Sequence, residues 1–581
     1  MSEIKLDVLS GVRENGKNMY AVEVDDKIFI LDCGLMYPEN ELLGIDIVIP
    51  NFDYLEENAR KIQGIFLTHG HADAIGALPY FIENHPVPIF GSELTIALAK
   101  IACENVSKAK KFNDFHIIDE QTEIDFDDVT VSFFKTTHSV PDSLGIVLQT
   151  PEGNIVYTGD FKIDQTATSD YQTDYSRIAE IGNQGVLALL SDSTNAENPI
   201  EIENEKDVLD FISETFEYHS GRIVVSAHSS NIIRIQQVFE AAYQNNRKIA
   251  LIGYDVEKIV KTALRLNKLH IPDDDLLIDI HDIGKYDDDE LVILQTGRSG
   301  EPLKSLQKMA LGRHKSVKLK HGDLVLITTT PSPSMETNVA KTRDMIFRAG
   351  ANVKTISDNM NLSGHASRND LQLMFNLLKP KFVIPVQGEY RQLFATKECA
   401  LEVGIPDENV ILVNKGDILE YTRDKFQLIQ SVDASNTLID GIGIGDIGNI
   451  VLRDRKLLAE DGIFIAVVTI DRRKHKIVDT PKITSRGFVY VKTSRDLIAE
   501  SREIVTKVVQ NNLDNKEFDW THLKQDIRDQ LNHYLYEQTK RHPVIMPVIM
   551  EINQSHMKKG HKKVKKENVK QQKNNSKSKN K

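Results

Sequence analysis

Over the first 200 residues, short apolar runs, often β-branched, stop at clusters of His, Asp, Gly or Ser. Examples are KIFILDCG (27–34), GIFLTHGHA (64–72), VSFFKTTHS (131–139), NIVYTGD (154–160) and VLALLSDST (186–194). Such runs predict buried strands. The polar clusters then fall at the strand C-terminal ends, where open α/β architectures bind ligands. From about 201 to 350 the rhythm becomes strand, loop, helix, as in GRIVVSAHSSNIIRIQQVFEAA, RKIALIGYDVEKIVKTAL and ELVILQTGRSGEPLKSLQKMA. That rhythm predicts a doubly wound parallel α/β unit. Strand and helix patterns return around 351–425 in SGHASRNDLQLMFNLLKP and KFVIPVQGEY. A further mixed segment runs from about 440 to 552 and ends in amphipathic stretches near 495–513 and 521–540. The last residues, KKGHKKVKKENVKQQKNNSKSKNK, have almost nothing to bury and predict a disordered end.

Composition narrows the class. At 581 residues the chain exceeds what one core supports, so about three folded units are expected. Charged residues make up 27% and apolar residues 40%, which excludes a collagenous or wholly disordered chain. No apolar window approaches ~18 residues, and MSEIKLDVLSG carries no apolar leader core. The three cysteines (Cys33, Cys103, Cys399) are far apart and form no CxxC pair. The expectation is a reduced, cytoplasmic protein with no membrane partner. The net charge of −14 hides an asymmetry: from Lys558 onward there are eleven Lys and one acid, Glu567, so the rest carries −24. An acidic body restricts any polyanion to a local basic patch or to the tail.

The sharpest chemical signal is THGHADAIGALPYF (68–81). A strand delivers His69, His71 and Asp73 into a loop that opens a helix, and this is metal-ligand spacing. Neutral imidazoles and a carboxylate suit zinc or manganese. His138 in TTHSVPDS and Asp160 in YTGDFK follow other apolar runs, and Asp32 follows FIL. A single loop histidine is commonly just polar surface; four such groups at strand ends point to a metal centre.

These motifs resemble the metallo-β-lactamase fold, and the 201–350 insertion with SGHAS resembles its β-CASP nuclease branch. LDCGLMYPENELLGIDIVIP, LLSDSTNAE, TGRSGEP, SGHAS, DIGNIVLRDRKLLAEDG and SRGFVYV look specifically like the ribonuclease J family, from about residue 5 to 552. The resemblance implies an αββα metallo-β-lactamase sandwich (1–200 and 351–435). It is interrupted by a β-CASP domain (201–350) and followed by a small C-terminal α/β domain (436–555) and a Lys-rich tail (556–581). It implies one metal ion on His69, His71, His138 and Asp160. A second ion would use Asp73, Asp160 and two further histidines, but those positions hold Ala74 and Gln387. Alanine supplies no ligand atom, and an amide is a poor substitute for imidazole. The pattern resembles the second, metal-motif-degenerate paralogue that some bacteria carry beside an intact one. One zinc ion is implied, with manganese as the alternative.

By the same resemblance Asp160 and His365 are catalytic. SGHAS (Ser363, Gly364, His365, Ala366, Ser367) and the Ser229, Ser230, Asn231 loop contact RNA phosphates, and Arg298 is a weaker 5′-phosphate anchor. Ser and Gly in such loops also make ordinary turns and N-caps. The implied function is metal-dependent RNA hydrolysis, 5′ to 3′ and also internal, in RNA decay and rRNA maturation, with weakened catalysis. The rival reading is a catalytically inactive RNA-binding partner of an active ribonuclease J paralogue. A small-phosphodiester or lactam hydrolase is a third, against which SGHAS and the insertion argue. Partners implied are RNA and a homodimer or a complex with the active paralogue, within an RNA-degrading assembly. Two signals are set aside. GIGDIG (443–448) matches Gly-x-Gly-x-x-Gly, but NIVL after it reads as a strand where a dinucleotide site needs a helix. Cys33 beside Asp32 reads as core packing.

Overall fold

The computed structural model describes residues 2–38, 42–104, 106, 108–168, 171–253, 256–297, 301–330, 335–358, 360–441, 443–445, 447–490, 494–515 and 518–552. Arg298 and the Lys-rich tail lie outside the described residues. The chain divides into two compact units, Met1–Gly445 and Asp446–Lys581.

The first unit is built on two facing sheets. One runs Lys425–Ser431, Asp417–Thr422, Ile4–Ser10, Met19–Val24, Lys27–Leu31, Ile62–Phe66, Ile89–Gly91, Phe115–Ile117. The other runs Phe382–Val386, Val186–Asp192, Gly153–Tyr157, Leu144–Thr150, Thr130–Lys135, Glu123–Asp125. Strand alternation sets the layers. Phe29 and Leu31 join Phe133, Ile146, Ile155 and Ile384 in the core between the sheets. Their neighbours Ile28 and Ile30 face the other way, into a cluster with Leu78, Phe81, Leu94 and Leu98 from the helices Leu78–Ile82 and Glu93–Cys103. On the far side Val147, Val156, Leu189 and Val383 cluster with Ile178, Leu371, Met374 and Phe375. The result is the expected αββα sandwich.

Strands from before residue 193 and after residue 381 share both sheets, so the segment between them is an insertion. It forms a third sheet, parallel throughout, in the order Leu277–Ile278, Lys248–Gly253, Leu291–Gly297, Ile223–His228, Leu324–Ile327, Asn352–Thr355. Val225 and Leu294 face helices Glu205–Glu217, Ile232–Gln244 and Val256–Arg265. Val224 and Ile293 face Glu301–Ala310 and Glu336–Arg348. Helices on both faces make it doubly wound. Arg222 is buried against Asp323 with two hydrogen bonds, Nε to Oδ1 at 3.1 Å and Nη2 to Oδ2 at 2.6 Å.

Two strands lie across the boundaries expected from the sequence. Asn352–Thr355, just past residue 350, pairs parallel with Leu324–Ile327 at the edge of the inserted sheet. Thr437–Asp440 pairs antiparallel with Ile47–Ile49, so the first unit continues past 435 to Gly445.

In the second unit Ile463–Asp471 is the central strand, antiparallel to Lys476–Arg486 and parallel to Val544–Glu551. Its alternate residues Phe464, Ala466, Val468 and Ile470 bury with Val505, Val509, Leu531 and Leu535 of helices Arg495–Asp514 and Trp520–Thr539. NIVL is not a strand: it opens the helix Asn449–Glu460. A four-residue apolar run fits either element, and here the polar RDRK that follows continues the helix. Gly443–Ile444 pairs antiparallel with Thr437–Asp440, not in the parallel βαβ unit a dinucleotide site needs. Among the described residues no helix is long and apolar enough to cross a membrane.

Candidate metal centre

The strand Ile62–Phe66 runs into a loop carrying His69 and His71 before the short helix Ala72–Ile75. Any side chain at Gly70 would collide with Leu98, so glycine lets the loop press on the helix beneath it. Strands Thr130–Lys135 and Gly153–Tyr157 deliver His138 and Asp160 to the same place. Ligand atoms of His69, His71, His138 and Asp160 all lie within 4.8 Å of one another. Asp160 Oδ2 is 3.6 Å from His69 Nε2 and 3.9 Å from His138 Nε2, and His138 Nε2 is 3.0 Å from His71 Nδ1.

Hydrogen bonds behind the cluster set the imidazole orientations. The Thr68 hydroxyl donates to Asp32 Oδ2 at 2.8 Å and leaves its lone pair to His69 Nδ1 at 2.9 Å. That arrangement turns the lone pair of His69 Nε2 into the cluster, where Nε2 is buried with no hydrogen-bond partner. His138 Nδ1 donates to the Gly364 carbonyl at 2.8 Å, which turns the lone pair of its Nε2 toward the cluster, where His71 Nδ1 lies 3.0 Å away. Metal-bound histidines are oriented in this way. An orphaned buried nitrogen, three imidazoles and one carboxylate fit a divalent ion of the zinc or manganese kind.

Burial disfavours a charged His69, but the Asp160 and Asp73 carboxylates outweigh it and raise the imidazole to about 9, so a cation taking the Nε2 lone pair would release a proton from it. Burial and the His69 charge push His71 down to about 3. Burial and the Asp73 charge raise Asp160 to about 7. Asp32 is raised to about 6 by burial, against the pull of His69 and of Thr68.

Other expected residues are placed as follows. Asp73 stands at the edge of the four-residue cluster: Oδ1 is 3.7 Å from His69 Nε2, and Oδ2 accepts from Asn18 Nδ2 at 3.3 Å. Ala74 is wholly buried in the apolar cluster with Cys33 and Ile75. Gln387 is buried and donates from Nε2 to Asp160 Oδ1 and, at 3.3 Å, to the Tyr157 hydroxyl. His365 Nδ1 lies 2.9 Å from Asp192 Oδ2 and 3.8 Å from Asp160 Oδ2. Burial would lower His365, but Asp192 and Asp160 together hold it at about 10. Asp192 has no role in the motifs above, although the strand run VLALLSDST ends on it just as NIVYTGD ends on Asp160.

A groove of about 2060 Å³ opens over the cluster. Ser363, Gly364 and His365 line it from one side, Ser229, Ser230 and Asn231 from the inserted unit, with Arg13, Arg234 and Lys304 along its walls. Two residues of SGHAS do not line the groove. Ala366 is 2% exposed and packs in the core with Leu371 and Phe375. The Ser367 side chain caps the helix Arg368–Leu378 by accepting from Asp370 N at 3.2 Å. Asn231 also caps a helix, accepting from Arg234 N at 3.0 Å. His228, at the end of its strand and in the groove wall, was not singled out by the sequence.

An αββα sandwich with His and Asp ligands at its strand ends is the architecture of metallo-β-lactamase-type hydrolases, and residues 12–175 match the model of the metallo-beta-lactamase superfamily. Residues 220–346 match the ribonuclease J beta-CASP domain, 350–412 the Zn-dependent metallo-hydrolase RNA specificity domain, and 450–552 the ribonuclease J C-terminal domain. The chain is 54% identical over 552 residues to Ribonuclease J 2 of Streptococcus pyogenes serotype M3, covering 95% of this chain and 100% of that one. Ribonuclease J 2 of Staphylococcus epidermidis (strain RP62A) is 45% identical over 550 residues, covering 95% and 98%. Ribonuclease J 2 of Staphylococcus aureus (strain MRSA252) is 46% identical over 552 residues with the same coverage. The chain belongs to the ribonuclease J family. A crystal structure of a protein of unknown function from Enterococcus faecalis V583 superposes with a TM-score of 0.51 at 14% identity, covering 72% of this chain and 100% of that one. That likeness concerns the fold alone.

Proposed function

We propose that this chain is a metal-dependent ribonuclease whose centre holds one ion, zinc or manganese, on His69, His71, His138 and Asp160. The observation that carries the reading is the buried, partnerless His69 Nε2 facing Asp160, His71 and His138. When bound, the ion supplies charge that polarises a phosphoryl oxygen and acidifies a water. His365, kept protonated by Asp192, adds a second positive group beside Asp160 for the charge that develops on the phosphoryl oxygens. Arg13 and Lys304, both exposed in the groove wall, offer positive charge to an RNA backbone among the acids that line it, while Arg234 is buried and paired with Glu205. Hydrolysis proceeds 5′ to 3′ from a 5′-monophosphate, with internal cleavage as a second mode.

Catalysis is weak relative to a two-ion relative. With Ala74 and Gln387 in place, Asp73 and Asp160 are what remains of the second-ion set that the family resemblance implies; Asp160, Asp192 and His365 also lie within 4.8 Å of one another, but there the imidazole is already paired with Asp192 at 2.9 Å. A loss of one to three decades in rate corresponds to about 1.4–4 kcal/mol of transition-state stabilisation. Ala74 and Gln387 also favour the second reading, an RNA-binding subunit acting within a complex with an active paralogue. Replacing His365 by Ala separates the readings. The enzyme reading expects cleavage of 5′-monophosphorylated RNA to fall at least about tenfold, a loss of ~1.4 kcal/mol, with metal content unchanged. Background-level signal from both proteins would favour the scaffold, and equal metal-dependent cleavage by both would remove the role of His365 alone.

A further inference from the structure

We infer that Gln387 is a positioning residue that occupies, with its side-chain amide, the place of a second cation at Asp160, and so fixes the centre as a one-ion site. The inference rests on the one-ion reading above. The two oxygens of Asp160 face different surroundings. Oδ2 turns toward His69 Nε2 at 3.6 Å, His138 Nε2 at 3.9 Å and His365 Nδ1 at 3.8 Å. Oδ1 accepts a hydrogen bond from Gln387 Nε2. A carboxylate shared by two ions gives one oxygen to each; here the second oxygen is given to a neutral donor. Inside a buried site an oriented N–H meets the carboxylate's electrostatic need without adding a net charge.

The amide acts on the cluster from two directions. Its Nε2 also donates to the Tyr157 hydroxyl at 3.3 Å, and that hydroxyl donates to Asp32 Oδ2 at 2.9 Å. Asp32 in turn receives the Thr68 hydroxyl and the Thr68 N–H, each at 2.8 Å, and Thr68 Oγ1 meets His69 Nδ1. One side chain therefore holds Asp160 directly and His69 through a chain of three residues. Both amide hydrogens are used, while Gln387 Oε1 is buried with no partner. The amide is thus placed for what its N–H groups do, since the flipped amide would set an oxygen against the carboxylate.

The backbone supports the same conclusion. Gln387 sits at φ 55°, in the left-handed region that side chains other than glycine avoid. Its N–H donates to the Gly11 carbonyl at 2.9 Å and approaches the Tyr20 hydroxyl at 3.3 Å, and its carbonyl accepts from the Thr194 hydroxyl at 3.3 Å. Three separate segments hold a disfavoured conformation that aims this one side chain at Asp160.

The test is manganese binding to the full chain, with stoichiometry and Kd from calorimetry and electron paramagnetic resonance. Wild type is expected to bind one ion. Gln387→Met keeps the length and loses both donors; it should still bind one ion, 10–100-fold more weakly, as expected when a ligand's supporting partner is removed. Tyr157→Phe breaks the chain one link away and should weaken binding several-fold at unchanged stoichiometry. Gln387→Glu sets a carboxylate beside Asp160 and should gain a second ion. Wild-type affinity in both Gln387→Met and Tyr157→Phe, or no second ion in Gln387→Glu, overturns the role of Gln387 while leaving the one-ion reading intact. A wild-type protein that binds two ions, or none, overturns both.

Discussion

Gly364→Ala is the smallest change that should reach the metal centre. A Cβ at position 364 would lie 2.9 Å from His138 Cε1 and 3.3 Å from Nδ1. Carbon contacts relax near about 3.5 Å, so the ring must withdraw by roughly 0.6 Å or the loop must move. Either response strains the 2.8 Å bond between His138 Nδ1 and the Gly364 carbonyl. Metal-ligand distances are held within about ±0.2 Å, so the displacement exceeds what a ligand tolerates. The expected loss is 10–100-fold in metal affinity, about 1.4–2.7 kcal/mol. Gly364 is not among the glycines with positive φ, so alanine itself is conformationally acceptable and the fold should survive. The assay is zinc or manganese Kd by chelator competition, with thermal melting beside it. Gly284→Ala, which would meet nothing within 4 Å, serves as the control. Unchanged affinity in a normally melting Gly364→Ala protein would refute the assignment of His138 as a ligand.

Away from the centre, Asp7 is buried with neither carboxylate oxygen hydrogen-bonded, and burial together with the Glu23 charge raises it to about 8. Its unfolded value is about 3.9, so the folded chain holds an extra proton in between, and stability falls by about 1.4 kcal/mol per unit as pH rises from ~4 to ~8. Asp7→Asn should therefore raise the Tm relative to wild type more at pH 8 than at pH 5; equal differences at both would contradict this. Asp323→Ala leaves the buried Arg222 guanidinium without its carboxylate and should cost about 3–5 kcal/mol in denaturant unfolding. A loss below 1 kcal/mol there would show that the pair is screened in solution.

The sandwich and the parallel insertion were legible because their signals are local. A β-branched run stopping at His or Asp marks a strand end wherever the chain later goes. His69, His71, His138 and Asp160 were found for that reason. Asp192 obeys the same rule, but its meaning comes from His365, 173 residues away. Tyr157 and Gln387 are 230 residues apart, and their hydrogen bond leaves no mark in either local pattern. The resemblance groups all five residues of SGHAS as one phosphate contact; the fold points Ser363 and His365 to the groove and Ala366 to the core. NIVL was read as a strand because four apolar residues carry no period; the following charged turns decided it. Gln387 was read as a lost ligand, and only the folded chain shows its amide engaged with Asp160.

The measurement that tests the central claim most directly is manganese-dependent digestion of 5′-monophosphorylated RNA by the isolated chain beside its Asp160→Ala variant. The account predicts slow, metal-dependent cleavage by the wild type that disappears in the variant. Equal background from both proteins would contradict it and leave the chain as an RNA-binding subunit without catalysis of its own.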